Sequence, residues 1–187
     1  MNILYLGPKR EEFINKLKLF GDNFVVLDNK LSTDFVISNK FDLVISYGYR
    51  YIISEEIINI MKNKIINLHI SYLPWNRGAD PNFWSFLENT KKGVSIHLID
   101  EGIDTGDILI QKEVTFTDND TLRTSYNKLS IAIEALFIEH WSKIRLGKYI
   151  PIKQNLNEGS IHFSKDKQLY TYLLTDGWDT PIIKIKK

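Results

Sequence analysis

The chain has 187 residues with 24 basic and 23 acidic side chains, which leaves a formal charge of +1 at neutral pH. Its length fits one domain with a substantial core, and a nearly neutral chain lacks the basic surface that nucleic acids or anionic membranes attract. The absence of cysteine excludes disulfides and thiolate metal sites, and the sequence opens on a strand pattern instead of a signal peptide or membrane span, which predicts a cytoplasmic protein.

The first part of the chain alternates between strand and helix patterns. Four apolar, β-branched runs have the length of strands: residues 2–7, 23–28, 42–46 and 64–70. Apolar residues at helical spacing over 9–20, and a serine followed by two glutamates at 54–62, predict helices between strands. Strands separated by helices imply an α/β fold, a mostly parallel sheet with helices on both faces.

The next elements surround a turn that is rich in acidic residues. Asp80 is the predicted N-cap of a short helix with Pro81 at its first position. Residues 93–100 and 107–116 read as two strands that flank the turn "EGIDTG". We expect this pair to form a hairpin-like unit at the edge of the sheet.

The last clear element is a long helix over 120–146, whose apolar residues recur three or four positions apart until Gly147. The residues after it show no clear period. We therefore expect a catalytic domain over 1–147 and a short extension, 148–187, that packs on the same domain.

Polar side chains converge at the end of the strand 64–70. Alternation places Asn67, His69 and Ser71 on one face and Ile66 and Leu68 on the other. In an open parallel sheet, ligands bind beyond the carboxyl ends of the strands, where this strand meets the loop "LPWNRG". The alternative stays open that Asn67 and His69 are buried polar residues satisfied by backbone groups.

The acidic turn is the second signal. The stretch "DEGIDTGDIL", residues 100–109, holds four carboxylates and two glycines, which is more negative charge than a structural turn requires. An ordinary acidic surface turn is an equally weighted alternative from these residues alone.

Together, "NLHISYLPWNRG" (67–78) and "GVSIHLIDEGIDTGDIL" (93–109) resemble the formyltransferase family that uses N10-formyltetrahydrofolate. That family's pattern is Asn-x-His, a Ser-x-Leu-Pro loop and an aspartate inside a "DTG" turn. The resemblance extends over roughly 1–146 and implies a Rossmann-like catalytic domain, with N10-formyltetrahydrofolate as co-substrate and no metal. It also implies that Asn67, His69 and Asp104 are the catalytic residues.

These three residue types suit formyl transfer to an amine. Asn67 offers an N–H donor to the oxyanion of a tetrahedral intermediate, and His69 can accept the amine proton. We expect Asp104 to orient the imidazole and to raise its pKa from the ordinary value of about 6.5. A metal bound by His69, His97 and Asp104 is disfavoured because no HxxxH or HExxH spacing is present. We interpret His97, His140 and His162 as structural.

The segment "SYGYRYIIS" (46–54) occupies the position of the family's folate loop. The resemblance therefore implies a pterin slot formed by residues of two segments: Tyr47, Gly48 and Tyr49 with Ile99, Asp100, Glu101 and Gly102. Core packing of the three tyrosines is an alternative of comparable weight.

The branches of the family differ in the acceptor whose amine they formylate. The methionyl-tRNA branch is disfavoured because it carries a further C-terminal domain and would show a basic surface, whereas the glycinamide ribonucleotide branch fits by length. "PWNRGADPNFWSF" is closer to sugar N-formyltransferases, which implies a dTDP- or UDP-linked amino dideoxy sugar for surface polysaccharide such as O-antigen. The leading substrate prediction is dTDP-4-amino-4,6-dideoxyglucose. A non-catalytic folate- or nucleotide-binding homologue stays open.

Two cations are candidates for the diphosphate of such a substrate. Arg77 lies between the catalytic strand and the helix that begins at Pro81, and Lys9 lies in the turn after the first strand. For both residues the alternative is an ordinary solvent-exposed side chain that binds no phosphate, and for Lys9 this alternative has the greater weight. The oligomeric state is left open, with a homodimer as one option.

Overall fold

A computed structural model describes residues 1–185. Its strands, in chain order, are β1 (Asn2–Leu6), β2 (Asn23–Leu27), β3 (Leu43–Ser46), β4 (Ile65–His69), β5 (Arg77–Gly78), β6 (Gly93–Leu98), β7 (Ile108–Glu113) and β8 (Ile161–His162). Its α-helices are α1 (Glu11–Lys18), α2 (Thr33–Asn39), α3 (Glu55–Met61), α4 (Pro81–Leu87) and α5 (Leu122–Ile144). No helix within the described residues is long and apolar enough to cross a bilayer.

Six strands form one sheet in the order β2-β1-β3-β4-β6-β7. The first four are parallel, whereas β6 runs antiparallel to β4 and to β7, as expected for a hairpin at the sheet edge. The short strands β5 and β8 form a separate parallel pair outside this sheet. The predicted mostly parallel sheet is thus confirmed, and its order places β4 beside β6.

Helices cover both faces of the sheet, as predicted. The core on one face joins side chains of β1, β3 and β4 to α1 and α5, with Phe13, Phe137 and Trp141 almost fully buried. The core on the other face includes Val36 of α2 and Met61 of α3. Because both faces are covered, ligands have access to the sheet mainly at the ends of its strands.

Several local features differ from the sequence predictions. Helix α2, which the pattern did not indicate, is seven residues long and contains β-branched residues, so its signal is weak; Ser32 caps it by accepting from the Phe35 N–H. Asp80 does occupy the predicted N-cap position of α4, but its side chain makes no capping hydrogen bond, since its backbone is left-handed (φ 53°) and its carboxylate pairs with Lys167. Pro81 does begin α4.

The chain beyond α5 packs on α4 and on the start of α5. Ile182 and Ile185 are buried there against side chains of α4 and Leu122. Up to residue 185, this tail contains three 3₁₀ helices: Asp166–Leu173, Gly177–Asp179 and Ile182–Lys184. Strand β8 connects the tail to β5, immediately beside the carboxyl end of β4.

Candidate active site

The candidate site lies at the carboxyl end of β4. Asn67 and His69 share one face of this strand, and the antiparallel neighbour β6 places His97 directly opposite Asn67. Asp104 reaches the same point from the turn between β6 and β7, where its backbone is left-handed (φ 51°), a conformation that aspartate tolerates better than most residues. Residues far apart in the chain therefore meet around one carboxylate.

Each oxygen of Asp104 has two neighbours. Oδ1 accepts a hydrogen bond from the Asn67 side-chain amide at 3.0 Å and lies 3.4 Å from His97 Nε2. Oδ2 accepts from the Gly78 backbone N–H at 2.9 Å and lies 3.6 Å from His69 Nδ1. The structure thus brings Asn67, His69 and Asp104 together and adds His97 and a backbone N–H.

The surroundings of Asp104 and His69 lower the pKa of both side chains. Burial alone would raise the pKa of Asp104, but the neighbouring His69 and His97 rings and the Gly78 N–H outweigh burial and hold that pKa well below its usual range. Burial lowers the pKa of His69, and the nearby Asp104 only partly opposes this effect. The predicted raised pKa of His69 is therefore wrong, because removal of the ring from water dominates. At neutral pH we assign an ionised Asp104 beside a neutral His69.

The other nitrogen of His69 identifies its tautomer. Nε2 lies 3.2 Å from the carbonyl oxygen of Asn76, which can only accept a hydrogen bond, so Nε2 carries the ring proton. Nδ1 is then unprotonated and faces Asp104. A neutral imidazole with a free lone pair at this position is suited to act as a general base.

His97 is the site residue that the sequence analysis missed. Its side chain is buried, its Nδ1 donates to the Leu98 carbonyl at 2.7 Å, and its Nε2 lies 3.2 Å from the Asn67 amide nitrogen. The signal that could have found it is the pairing of β6 with β4, which alternation within β6 alone does not reveal. Over residues 1–185, no group of three or more acidic or histidine side chains has an arrangement that could hold a metal ion.

Three clefts meet at or near this cluster. The catalytic cleft, about 230 Å³, is lined by His69, Asn67, Asp104, Arg10, Tyr47 and Tyr126, among others. The acidic-turn cleft, about 420 Å³, shares Asn67 and Asp104 and extends past Tyr49, Arg50, Ile99 and Glu101. The tail cleft, about 260 Å³, shares Tyr126 and Pro81 with the catalytic cleft and is also lined by Phe83, Lys167 and Trp178. Asn67 and Asp104 thus lie on the boundary of two clefts, which suits transfer between two bound molecules.

The residues predicted to bind the pterin ring divide between two clefts. Ile99, Asp100, Glu101 and Gly102 line the acidic-turn cleft, Tyr47 and Gly48 line the catalytic cleft, and Tyr49 lines both. The Tyr47 ring is only 3% exposed and stacks under the Arg10 guanidinium at 4.0 Å, which is the core-like position that the alternative described. The Tyr49 hydroxyl accepts from the Leu31 N–H and donates to the Asn29 carbonyl, so this side chain is fixed in place.

The two predicted phosphate contacts lie outside the residues that line these clefts. The Lys9 side chain is well exposed and pairs with Glu11 at 3.2 Å. Arg77 Nε points to the Ser160 carbonyl oxygen at 3.4 Å, next to the β5–β8 pair. Three cations of the described residues do line these clefts: Arg10, paired with Glu134 at 3.1 Å, Lys167, paired with Asp80 at 2.7 Å, and Arg50 in the acidic-turn cleft.

Comparison with known proteins agrees with this site. The formyl transferase family model matches residues 27–140, more than half of the sequence, and the chain belongs to that family. The sequence-based resemblance is therefore confirmed, and so is the Rossmann-like fold.

The relatives differ in how much of their length this chain spans. A methionyl-tRNA formyltransferase from Thermodesulfovibrio yellowstonii is 41% identical over 138 residues, which are 73% of this chain but only 42% of the relative. The crystal structure of the formyltransferase PseJ from Anoxybacillus kamchatkensis, in complex with UDP-4,6-dideoxy-4-formamido-L-AltNAc and tetrahydrofolate, has a TM-score of 0.95 at 55% identity and covers 99% of this chain and 97% of its own. WlaRD, a sugar 3N-formyl transferase crystallised in the presence of dTDP and 5-N-formyl-THF, has a TM-score of 0.69 at 26% identity, over 89% of this chain and 70% of its own.

Proposed function

We propose that this protein transfers the formyl group of N10-formyltetrahydrofolate to the 4-amino group of a UDP-linked 4-amino-4,6-dideoxy sugar. The observation that carries the proposal is its likeness to PseJ along nearly the whole of both chains, at 55% identity. The ligands in that crystal are a formylated UDP-sugar and tetrahydrofolate, the two products of such a reaction. UDP takes the place of dTDP, the nucleotide of the leading sequence prediction.

The geometry supports each step of the proposed reaction. The lone pair of a neutral sugar amine attacks the formyl carbon, and a new N–C bond forms while the carbonyl oxygen becomes an oxyanion. The unprotonated Nδ1 of His69 accepts the amine proton, and the resulting imidazolium is stabilised by the ionised Asp104, whose Oδ2 lies 3.6 Å away. The bond from N10 of the folate to the formyl carbon then breaks, and N10 receives the proton from His69.

Asn67 is the proposed oxyanion donor. One of its amide hydrogens is used by Asp104 Oδ1, and the other faces His97 Nε2 at 3.2 Å. We assign the second hydrogen to the oxyanion once both substrates are bound, because Asn67 lines the catalytic cleft and the acidic-turn cleft alike. Loss of one such donor typically costs about 100- to 1000-fold in rate.

The clefts suggest where each substrate binds. The pterin ring occupies the acidic-turn cleft, against Tyr49 and the backbone around Glu101. The sugar occupies the catalytic cleft. The nucleotide extends into the tail cleft, where Trp178 and Tyr126 form an edge-to-face pair with ring centroids 5.5 Å apart that offers an aromatic surface to a base.

A panel of acceptors tests this function. Purified protein is incubated with N10-formyltetrahydrofolate and, separately, a UDP-linked 4-amino-4,6-dideoxy sugar, dTDP-4-amino-4,6-dideoxyglucose, glycinamide ribonucleotide or methionyl-tRNA, and product is detected by mass spectrometry. We expect formylation of the UDP-sugar with the highest kcat/KM. Preferred formylation of the ribonucleotide or the tRNA would contradict the proposal, and folate binding without formylation of any acceptor would support the non-catalytic alternative.

We further propose that the protein acts in the cytoplasm and that its product is used for surface polysaccharide. A homodimer is one option for the assembly, and light scattering of the purified protein measures it directly.

A further inference from the structure

Two backbone groups of one short segment, residues 76–78, contact the catalytic residues His69 and Asp104. The Asn76 carbonyl oxygen lies 3.2 Å from His69 Nε2, and the Gly78 N–H donates to Asp104 Oδ2 at 2.9 Å. Residues 77–78 of this segment form strand β5, so the position of that strand determines the direction of both contacts. Whatever holds residues 76–78 in place also sets the geometry of His69 and Asp104.

The tail holds this segment from outside. Ser160 and His162 accept backbone hydrogen bonds from Arg77 and Ala79 at 3.0 and 2.9 Å. The two backbones pass so closely that a Cβ on Gly78 would lie 2.3 Å from the His162 carbonyl oxygen. A Cβ on Gly159 would lie 2.1 Å from the Pro74 oxygen, so the fit requires glycine on both sides.

Asn76 itself is fixed by its side chain as well as its backbone. It has no exposed surface, and its backbone is left-handed (φ 55°). Its N–H donates to Ser160 Oγ at 3.0 Å, its side-chain amide donates to Glu88 Oε2 at 3.2 Å, and its side-chain oxygen accepts from Thr90 at 2.7 Å. Ser160 Oγ also donates to Glu88 Oε2 at 3.1 Å, which joins the tail to α4 through this carboxylate.

We propose that Glu88 and Ser160 are positioning residues that set the tautomer of His69 by fixing the Asn76 carbonyl. The inference rests on the proposed function in one respect, that His69 is the base. Glu88 lies at the end of α4, and Ser160 lies beyond residue 140, where the match to the family model ends. A segment outside that match therefore completes the proton-accepting centre.

A neutral imidazole carries one ring proton, which can lie on either nitrogen. A carbonyl oxygen at Nε2 accepts only, so it keeps the proton on Nε2 and leaves Nδ1 free for the amine proton. If Asn76 shifts, the carbonyl moves away from Nε2, and the ring can place its proton on Nδ1, where the ionised Asp104 accepts it. That tautomer has no lone pair at Nδ1 and cannot act as the base there.

The closing experiment measures the tautomer without any substrate. Protein labelled with ¹⁵N-histidine is compared by NMR as wild type, Glu88→Ala, Glu88→Gln and Ser160→Ala, with the His69 signals assigned from His69→Ala. We expect the Nε2–H form in the wild type and a shift toward Nδ1–H in Glu88→Ala and Ser160→Ala. Glu88→Gln retains an oxygen for the Asn76 amide and should keep the wild-type tautomer.

Kinetics provide the second readout. We expect kcat of Glu88→Ala to fall on the order of 10- to 100-fold with little change in either KM, and Glu88→Gln to recover most of it. Glu113→Ala is the matched control, because Glu113 is exposed at the sheet edge and pairs only loosely with Lys91 at 3.7 Å.

Unchanged tautomer and kcat in Glu88→Ala and Ser160→Ala would overturn the inference, and Ser160→Ala decides it if Glu88→Ala does not fold. If no acceptor is formylated by the wild type, the proposed function fails, while the NMR result still decides whether Glu88 and Ser160 set the tautomer.

Discussion

Two aspartates at opposite ends of the sheet, the buried Asp22 and the half-buried Asp104, show what distinguishes a structural carboxylate from a catalytic one. Asp22 precedes β2 and has no exposed side-chain surface; it accepts from the N-terminal ammonium group at 2.9 Å and from Arg145 Nε at 2.9 Å. Asp104 lies beyond the carboxyl ends of the strands, among two histidines, an amide and a backbone N–H. Both carboxyl groups have a lowered pKa, although burial opposes it in each case.

The difference lies in what surrounds each charge. Arg145 keeps its proton at any physiological pH, so its pair with Asp22 is permanent and stabilises the fold. The His69 imidazole takes up a proton only during the proposed reaction, so the same kind of carboxylate there stabilises a charge that appears in the course of catalysis. Substitutions at and around the two carboxylates therefore have different expected effects, on catalysis in one case and on stability in the other.

The largest effect is expected from removal of the base. His69→Ala should lower kcat for formyl transfer by about 100- to 10,000-fold, the usual contribution of a positioned general base, while the fold is retained. Steady-state kinetics and circular dichroism measure the two quantities. His140→Ala, on the outer part of α5 beside Tyr149, is the matched histidine control and should retain wild-type turnover. Near-wild-type turnover in His69→Ala would remove His69 from the mechanism.

The next effect concerns the nucleotide. Arg10→Ala and Lys167→Ala should each raise KM for the nucleotide sugar by about 10- to 100-fold and leave KM for the folate nearly unchanged, because charge-assisted phosphate contacts are worth about 1.5 to 3 kcal/mol. The exposed Lys9 provides the control variant Lys9→Ala. A larger effect from Arg77→Ala than from either variant would instead support the phosphate site at Arg77 that the sequence predicts.

A smaller effect, on stability alone, is expected at the structural carboxylate. Asp22→Asn should lower the free energy of unfolding by about 1.5 to 3 kcal/mol, or roughly 3 to 12 °C in Tm for a chain of this size. The folded pKa of Asp22 is lowered, so its contribution is present above the unfolded value of about 3.9 and is lost as the pH falls through the folded value. Calorimetry should therefore show the difference from wild type shrinking at acid pH. A difference that grows there would contradict this assignment.

The smallest predicted effect is a displacement of the pH profile. Burial lowers the pKa of His69, so the base stays neutral to a lower pH than a free imidazole, and the acid limb of kcat/KM should have its midpoint below about 6.5. The unfolded chain binds this proton more readily than the native one, so His69 also makes stability rise with pH through that range. An acid limb centred above 6.5 would instead support the raised pKa predicted from sequence.

The sequence predicted the parts of the site that local pattern determines. Alternation along β4 placed Asn67 and His69 on one face, and the "DTG" turn identified Asp104 through a family resemblance. His97 was missed because its role depends on the antiparallel pairing of β6 with β4. The contacts of Asn76 with Ser160 join residues 84 positions apart, and no periodicity in the tail indicates them.

The most direct test of the account compares the two aspartates in one assay. Wild type, Asp104→Asn and Asp22→Asn are each given N10-formyltetrahydrofolate and a UDP-linked 4-amino-4,6-dideoxy sugar at a temperature where all three are folded, and the first turnover is followed by rapid quench. Asparagine tolerates the left-handed backbone of residue 104, so the fold is retained while the charge is lost. We predict wild-type rates from Asp22→Asn and a loss of at least about 100-fold from Asp104→Asn. Equal rates from the two variants would contradict the claim that the Asp104 cluster is the catalytic centre.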